Sequence, residues 1–369
     1  CNHSLVRRVP DSGRYELHEL TRQFAAKILA QNRFKYIETE KQHAIYFLEM
    51  VSQETVALIH TEPIAAFERL QRDFDNIRTA WENGFAHRLL NHIQDAVQGF
   101  VHYYIRSGSS REMIDTLRRH HSDIKNFPDS DDVMLLKCSL LTFEGYLRSR
   151  LKDKKSMDVA QQSLKLAQSV DEPYLVAFNY FIVGWVYLGQ GKMDDALAFL
   201  GLGEKLARDY HYSDVLMLIL RGKGNCYFVT RVYDLAESKC EEAVALGQQY
   251  DLYPTIQVQA LGELGNIACE LGYGEKGIEY HKRALAMQKR SAIPRDQGLI
   301  LHYLTSVYVK FGLYQDAIET SRAAINIFEE IGDHNMKNWA RTCLAEALRQ
   351  TGKPNEAIKV LEQALHDID

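Results

Sequence analysis

Gly184-Trp185-Val186-Tyr187-Leu188-Gly189-Gln190-Gly191-Lys192-Met193-Asp194-Asp195-Ala196 carries the strongest folding signal in this chain. An apolar run containing Gly184 stops at Gly191. An acidic pair then opens a second run with a small residue, Ala196, at its fourth position. Glycine just past a helix supplies a left-handed C-cap. Asp194-Asp195 suits the positive end of the next helix dipole. Two helices of a hairpin approach closely only where side chains are small, so Gly184 and Ala196, twelve residues apart, are expected to face each other.

The same pattern recurs along the chain. Gly184, Gly224, Gly265, Thr305 and Ala345 hold one register, in steps of 40, 41, 40 and 40 residues. Twelve residues after each come Ala196, Ala236, Gly277, Ala317 and Ala357, and seven further on Gly203, Ala243, Ala284, Ala324 and Ala364. Gly191, Gly272, Gly312 and Gly352 mark the turns, with Arg231 breaking that series. Pro173, Pro254 and Pro294 open first helices, and Pro354 opens a second one. A fainter copy precedes these, at Gly145-Tyr146, Ala160 and Ala167. Self-similarity at a fixed period is the mark of a stacked repeat. Gly-Trp-Val-Tyr at 184–187 and Ala-x-x-x-Leu at 196–200 resemble the tetratricopeptide repeat. The period near 40 exceeds that family's usual length of about 34, so each helix is expected to be about one turn longer. The expected fold is all-α: a right-handed superhelix of about six hairpins over residues 131–369.

Composition agrees. The chain has 369 residues, 46% of them hydrophobic, and only 7 prolines. A net charge of −5 with both signs interspersed argues against direct nucleic-acid binding, whose footprint is basic. No run of 18 apolar residues exists, so no membrane span is expected. The six cysteines (1, 138, 226, 240, 269, 343) lie far apart without a C-x-x-C pair. They read as buried free thiols of a cytoplasmic protein. Asn2-His3-Ser4 fits a glycosylation sequon that has no meaning in that compartment.

Residues 1–30 read differently. Leu5–Arg8 and Arg14–Leu17 alternate around Pro10-Asp11-Ser12-Gly13, as in a short hairpin. A helix with Leu20, Phe24, Ala25 and Ile28 on one face follows. Such a unit cannot bury a core alone. Together with the missing initiator Met, it suggests a fragment of a longer protein. Ser4-Leu5-Val6-Arg7-Arg8 and Gly13-Arg14-Tyr15-Glu16-Leu17-His18-Glu19-Leu20-Thr21-Arg22-Gln23-Phe24-Ala25 resemble the end of the winged-helix domain in STAND-class signalling ATPases with NB-ARC modules. Gln42-His43-Ala44-Ile45-Tyr46-Phe47-Leu48 and Phe74-Asp75-Asn76-Ile77-Arg78-Thr79-Ala80-Trp81 resemble segments that follow it in bacterial members, ahead of their repeats. The resemblance implies three parts: a winged-helix remnant at 1–30, a helical linker with irregular hairpins at 31–130, and the repeats at 131–369. It also implies that His18, in place of the histidine of a Met-His-Asp-type motif, senses ADP or ATP with Mg in the intact protein. Leu17 and Glu19 depart from that motif. The chain itself has no G-x4-G-K-[ST] loop, so no cofactor is expected in it.

No catalytic constellation is written here. There is no G-x-S-x-G and no H-E-x-x-H, adjacent His120-His121 do not face one ligand on a helix, and no metal site is expected. The chain is read as non-enzymatic. First helices of such repeats usually line the concave side. The residues after the Gly/Thr/Ala register (Trp185, Asn225, Asn266, Ser306) and those three before it (Phe181, Arg221, His302) are therefore candidate ligand readers. Asn225 and Asn266 suggest an amide ladder able to clamp a peptide backbone. The resulting expectation is a sensing arm of a STAND-class regulator, bound by a protein, peptide or small-molecule inducer and by its own upstream ATPase domain. The alternative is a constitutive interaction scaffold without a switch.

Overall fold

The computed structural model describes residues 6–8, 15–291 and 293–366. Strand β1 (Val6–Arg8) pairs antiparallel with β2 (Tyr15–Leu17), Val6 opposite Leu17 and Arg8 opposite Tyr15. The expected turn at Pro10–Gly13 lies outside the described residues. Helix α1 (Glu19–Ala30) buries none of its residues; Leu20 and Phe24 are 69% and 65% exposed.

Helix α2 (Arg33–Val56) runs into a π-helical turn, Ala57–Thr61. Helices α3 (Pro63–Arg72) and α4 (Phe74–Ala86) follow. Apolar spacing predicts helices near 39–58 and 62–84. The first begins earlier because the Asn32 side chain accepts the Lys35 N–H, a regular N-cap. The second is two helices, broken at Asp73, whose N–H turns back to the Leu70 carbonyl. Gly84 marks no break. It is buried inside α4 against Leu48 and Ile93, and the chain turns at Arg88, with φ 57°.

Hairpins then succeed one another: α5 (Leu90–Arg106) with α6 (Ser110–Asp123), α7 (Asp131–Arg150) with α8 (Ser156–Ser169), and α9 (Pro173–Gly189) with α10 (Met193–Asp209). Next come α11 (Ser213–Val229) with α12 (Tyr233–Tyr250), and α13 (Pro254–Glu270) with α14 (Gly274–Ser291). Last are α15 (Pro294–Lys310) with α16 (Tyr314–Glu330), and α17 (His334–Gln350) with α18 (Pro354–His366). From α7 onward there are six hairpins. The α5–α6 pair stacks onto them, α5 against α7 and α6 against α7. Every first helix from α5 packs on the next first helix, and every second helix from α6 on the first helix that follows it. That nearest-neighbour stacking makes a solenoid.

The small-residue register does what close approach requires. A Cβ added to Gly184 would lie 2.7 Å from Leu200 and 3.2 Å from the Ala196 carbonyl. Ala196, Ala236 and Ala317 are fully buried. Gly191, Gly272, Gly312 and Gly352 all turn with φ between 76° and 87°. Arg231 keeps the same left-handed turn with φ 60°, so the sequence series breaks there and the backbone series does not. Trp81 of α4 stacks on Phe100 of α5 at 4.5 Å, and Phe100 meets Tyr104 edge-on at 5.2 Å. Cys138, Cys226, Cys240 and Cys269 are buried free thiols, and Cys343 is a half-buried one; Cys1 lies outside the described residues. Among the described residues no helix is long and apolar enough to cross a membrane.

One long-range contact ties the N-terminal helices to the α13–α14 hairpin. The π-helical turn packs on α13, and α3 packs on α14. His60 Nδ1 accepts the backbone N–H of Tyr253 at 3.1 Å, across 193 residues of sequence, and the two rings meet edge-on at 4.5 Å.

Candidate functional site

The inner face is built by first helices that stack in register. Residues 40 apart on neighbouring first helices fall side by side: Tyr174 on α9 donates from its hydroxyl to Asp214 Oδ2 on α11 at 2.7 Å. An aromatic path starts at His60 and Tyr253 and passes His102 on α5. Tyr146 on α7 lies 6.3 Å from His102 and 5.3 Å from Phe178. Phe178, Phe181 and Trp185 then follow one face of α9 at 6.0 Å intervals. At its far end the Arg221 guanidinium lies 4.8 Å over the Trp185 ring, a cation–π contact.

Arg221 does not stand free. Its Nε donates to Glu263 Oε1 on α13 at 3.2 Å, and Asn225 Nδ2 donates to the same oxygen at 3.2 Å. The other oxygen, Oε2, accepts from the buried Cys240 thiol at 3.6 Å. The charge of Glu263 joins burial in pushing that thiol up. Gln259 donates to Asp296 Oδ1 at 3.1 Å, linking α13 to α15. Burial pushes the Asp296 carboxyl above the usual carboxylate range. It also drives the hydroxyls of Tyr174 and Tyr253 well above their ordinary values, with Asp214 acting the same way on both. The His102 imidazole is lowered to about 3, first by burial and then by the Arg150 charge. His60 is lowered by burial against the pull of Asp214 and Asp251. This face thus holds neutral imidazoles and phenols with a few charges among them. Tyr146, Phe178, Phe181 and Tyr253 are buried, so the aromatic surface it offers is that of the half-buried His60, His102, Tyr174 and Trp185; among the described residues no group of three or more His, Cys, Asp or Glu is placed to hold a metal.

The structure brings Phe181, Trp185, Arg221 and Asn225 together. Phe181 is only 4% exposed, so it backs the face rather than reading a ligand. Asn225 is committed to Glu263 rather than to a ladder with Asn266, which is half-buried one repeat further on. His302 and Ser306 form a separate group on α15. His302 is buried near Tyr303 and Trp339, and exposed Ser306 turns its hydroxyl back to the His302 carbonyl at 3.2 Å. His18 is exposed at the start of α1, where its Nδ1 accepts the Leu20 N–H at 3.3 Å as an N-cap. Sequence reasoning missed Tyr146, Arg150, Tyr174, Asp214, Tyr253, Glu263 and Asp296. A signal existed for Tyr146: it follows Gly145 as Trp185 follows Gly184.

Comparison with known proteins fits this geometry. The tetratricopeptide repeat family matches residues 296–366. A search of curated protein sequences finds no match. Among solved structures the chain is similar to a Rap protein complexed with competence and sporulation factor, at 15% identity and TM-score 0.59, covering 90% of this chain and 98% of that one. It is also similar to the apo form of RapI, at 13% identity and TM-score 0.57, covering 76% of each chain. A third is a STAND protein with a tetratricopeptide repeat sensor from Pyrococcus horikoshii, at 15% identity and TM-score 0.56; 99% of this chain is covered but 56% of that one. Residues 296–366 therefore carry tetratricopeptide repeats, and the fold of the chain is an all-helical superhelix of the tetratricopeptide kind.

Proposed function

We propose that this chain is the sensing arm of a STAND-class signalling ATPase and that the inner face of its repeats binds a peptide or a short protein segment. The observation that carries the binding reading is the continuous path from His60 and Tyr253 to Trp185 and Arg221, on helices that the register aligns. Aromatic rings with a polar edge give contact area at low entropic cost. Fixed donors such as Arg221 and Asn225 supply orientation. Supporting likenesses are the Rap protein complexed with a factor and the STAND protein whose repeats are described as a sensor. The sequence motifs at Leu17-His18-Glu19, 42–48 and 74–81 favour the switch over a constitutive scaffold.

In this reading residues 1–30 end a winged-helix domain, 31–130 connect, and 131–369 sense. The exposed apolar residues of α1 would pack against a part of the protein outside this chain. His18 would face the phosphates of ADP or ATP held there; among the described residues this chain offers no phosphate cradle of its own. The coding sequence upstream of residue 1 tests the assignment. A G-x4-G-K-[ST] loop ahead of the winged helix is expected, and its absence would leave a scaffold without a switch.

A further inference from the structure

We infer that Arg150 anchors a carboxylate of the bound peptide, an inference that rests on the peptide reading above. Three other charged groups of the inner face are matched. Arg221 has Glu263, Asp214 has the Tyr174 hydroxyl, and Asp296 has the Gln259 amide. Two residues before Arg150, buried Arg148 is held by Glu144 at 2.7 Å and by Asp153 at 3.0 Å. Arg150 differs from all of these. Its side chain is exposed, and among the described residues no carboxylate lies within ion-pair distance of it. Among the described residues its one side-chain hydrogen bond is a long one, Nη1 to the Tyr146 hydroxyl at 3.4 Å. The guanidinium lies 5.6 Å over the Tyr146 ring, the ring that sits between His102 and Phe178 on the aromatic path.

The Tyr146 ring and hydroxyl hold the guanidinium beside the aromatic path. Its charge acts on His102 of α5 and on Asp296 of α15, helices on either side of α7 in the stack, so Arg150 addresses the space between the first helices. A guanidinium presents a planar fork of donors that matches a carboxylate's two oxygens. A single cation with Asp296 as its charged neighbour suits one negative charge; a phosphate dianion would meet more repulsion from that carboxylate. Arg150 also ends α7, where any cation favours the helix dipole. A dipole role alone predicts an effect on stability and none on ligand choice.

The carboxylate can come from a peptide C-terminus or from an Asp or Glu side chain. Three N-acetylated random hexapeptide pools separate these: free C-terminus without acidic residues, amidated C-terminus with Asp and Glu, and amidated C-terminus without them. The whole chain is immobilised and retained peptides are identified by mass spectrometry. The expected result is at least tenfold greater retention from one or both carboxylate pools than from the neutral amide pool. Which pool wins names the source. Arg150→Met should abolish that preference while the circular dichroism spectrum stays that of the parent, and Arg150→Lys should restore it in part. Equal retention of the neutral pool, or an Arg150→Met variant that keeps the preference, overturns the anchor and leaves the peptide reading standing. Retention from no pool overturns both.

Discussion

Gly265 and Gly262 lie on the same helix, one turn apart, and alanine should act on them in opposite directions. Both are buried. A Cβ at Gly262 meets nothing within 4 Å, whereas one at Gly265 would lie 2.6–2.8 Å from three atoms of the His281 ring. That ring is fully buried and has no room to swing away. Replacing a mid-helix glycine with alanine gains up to about 1 kcal/mol of helix propensity. Gly262→Ala should show that gain. Gly265→Ala should carry the same gain against an overpacking cost of about 1–3 kcal/mol, so the two variants should differ by roughly that cost. Urea titration followed by circular dichroism measures the difference. Hydrogen exchange of α13 and α14 localises it, which matters because long repeat arrays need not unfold in one step. Equal midpoints for the two variants would refute the view that this glycine register exists to admit the partner helix.

Other outcomes follow from the same packing. Arg231→Gly should stabilise the chain by about 1 kcal/mol, because Arg231 holds a left-handed φ of 60° that costs a non-glycine residue about that much; a lower urea midpoint would contradict it. Burial lowers His281 to about 4 from an ordinary 6.5, so the unfolded chain takes up the proton first as the pH falls. Its contribution is therefore complete above about pH 6.5 and is lost down to about pH 4, on the order of 3 kcal/mol in all; a His281→Leu variant with an undiminished acid slope between those values would count against it. Asn225→Ala removes a donor from Glu263 and should cost about 1 kcal/mol, while Asn266→Ala should stay within about 0.5 kcal/mol, and equal costs would mean that Asn225 is not committed to Glu263.

The hairpin solenoid was legible because its physics is local. Gly184, Gly224 and Gly265 and their partners twelve residues on are small for the same steric reason in every copy, and the proline and glycine boundaries sit at the helix ends. What escaped were contacts between repeats. Asn225 reads as an exposed amide until Glu263, 38 residues later, is placed on the neighbouring helix. Phe181, Arg221 and His302 share a register, and none of them stands free: Phe181 and His302 are buried, and Arg221 is paired with Glu263 from the neighbouring helix. Nothing in the sequence signals that His60 meets Tyr253, since no periodicity connects a π-helical turn to a helix start 193 residues away. Arg231 shows the reverse case, a turn legible from spacing and not from residue type.

The central claim is that the inner face of the first helices takes the ligand. Photo-cross-linking tests it most directly, with a hexapeptide pool carrying a diazirine side chain, irradiated with the whole chain and mapped by peptide mass spectrometry. Cross-links are expected on the inner path, around Tyr146, Trp185 and Arg221 on α7, α9 and α11, and to be reduced by Trp185→Ala. Cross-links concentrated on second helices, such as the outward carboxylates Glu237 and Glu241 of α12, or spread without preference over both layers, would contradict the account.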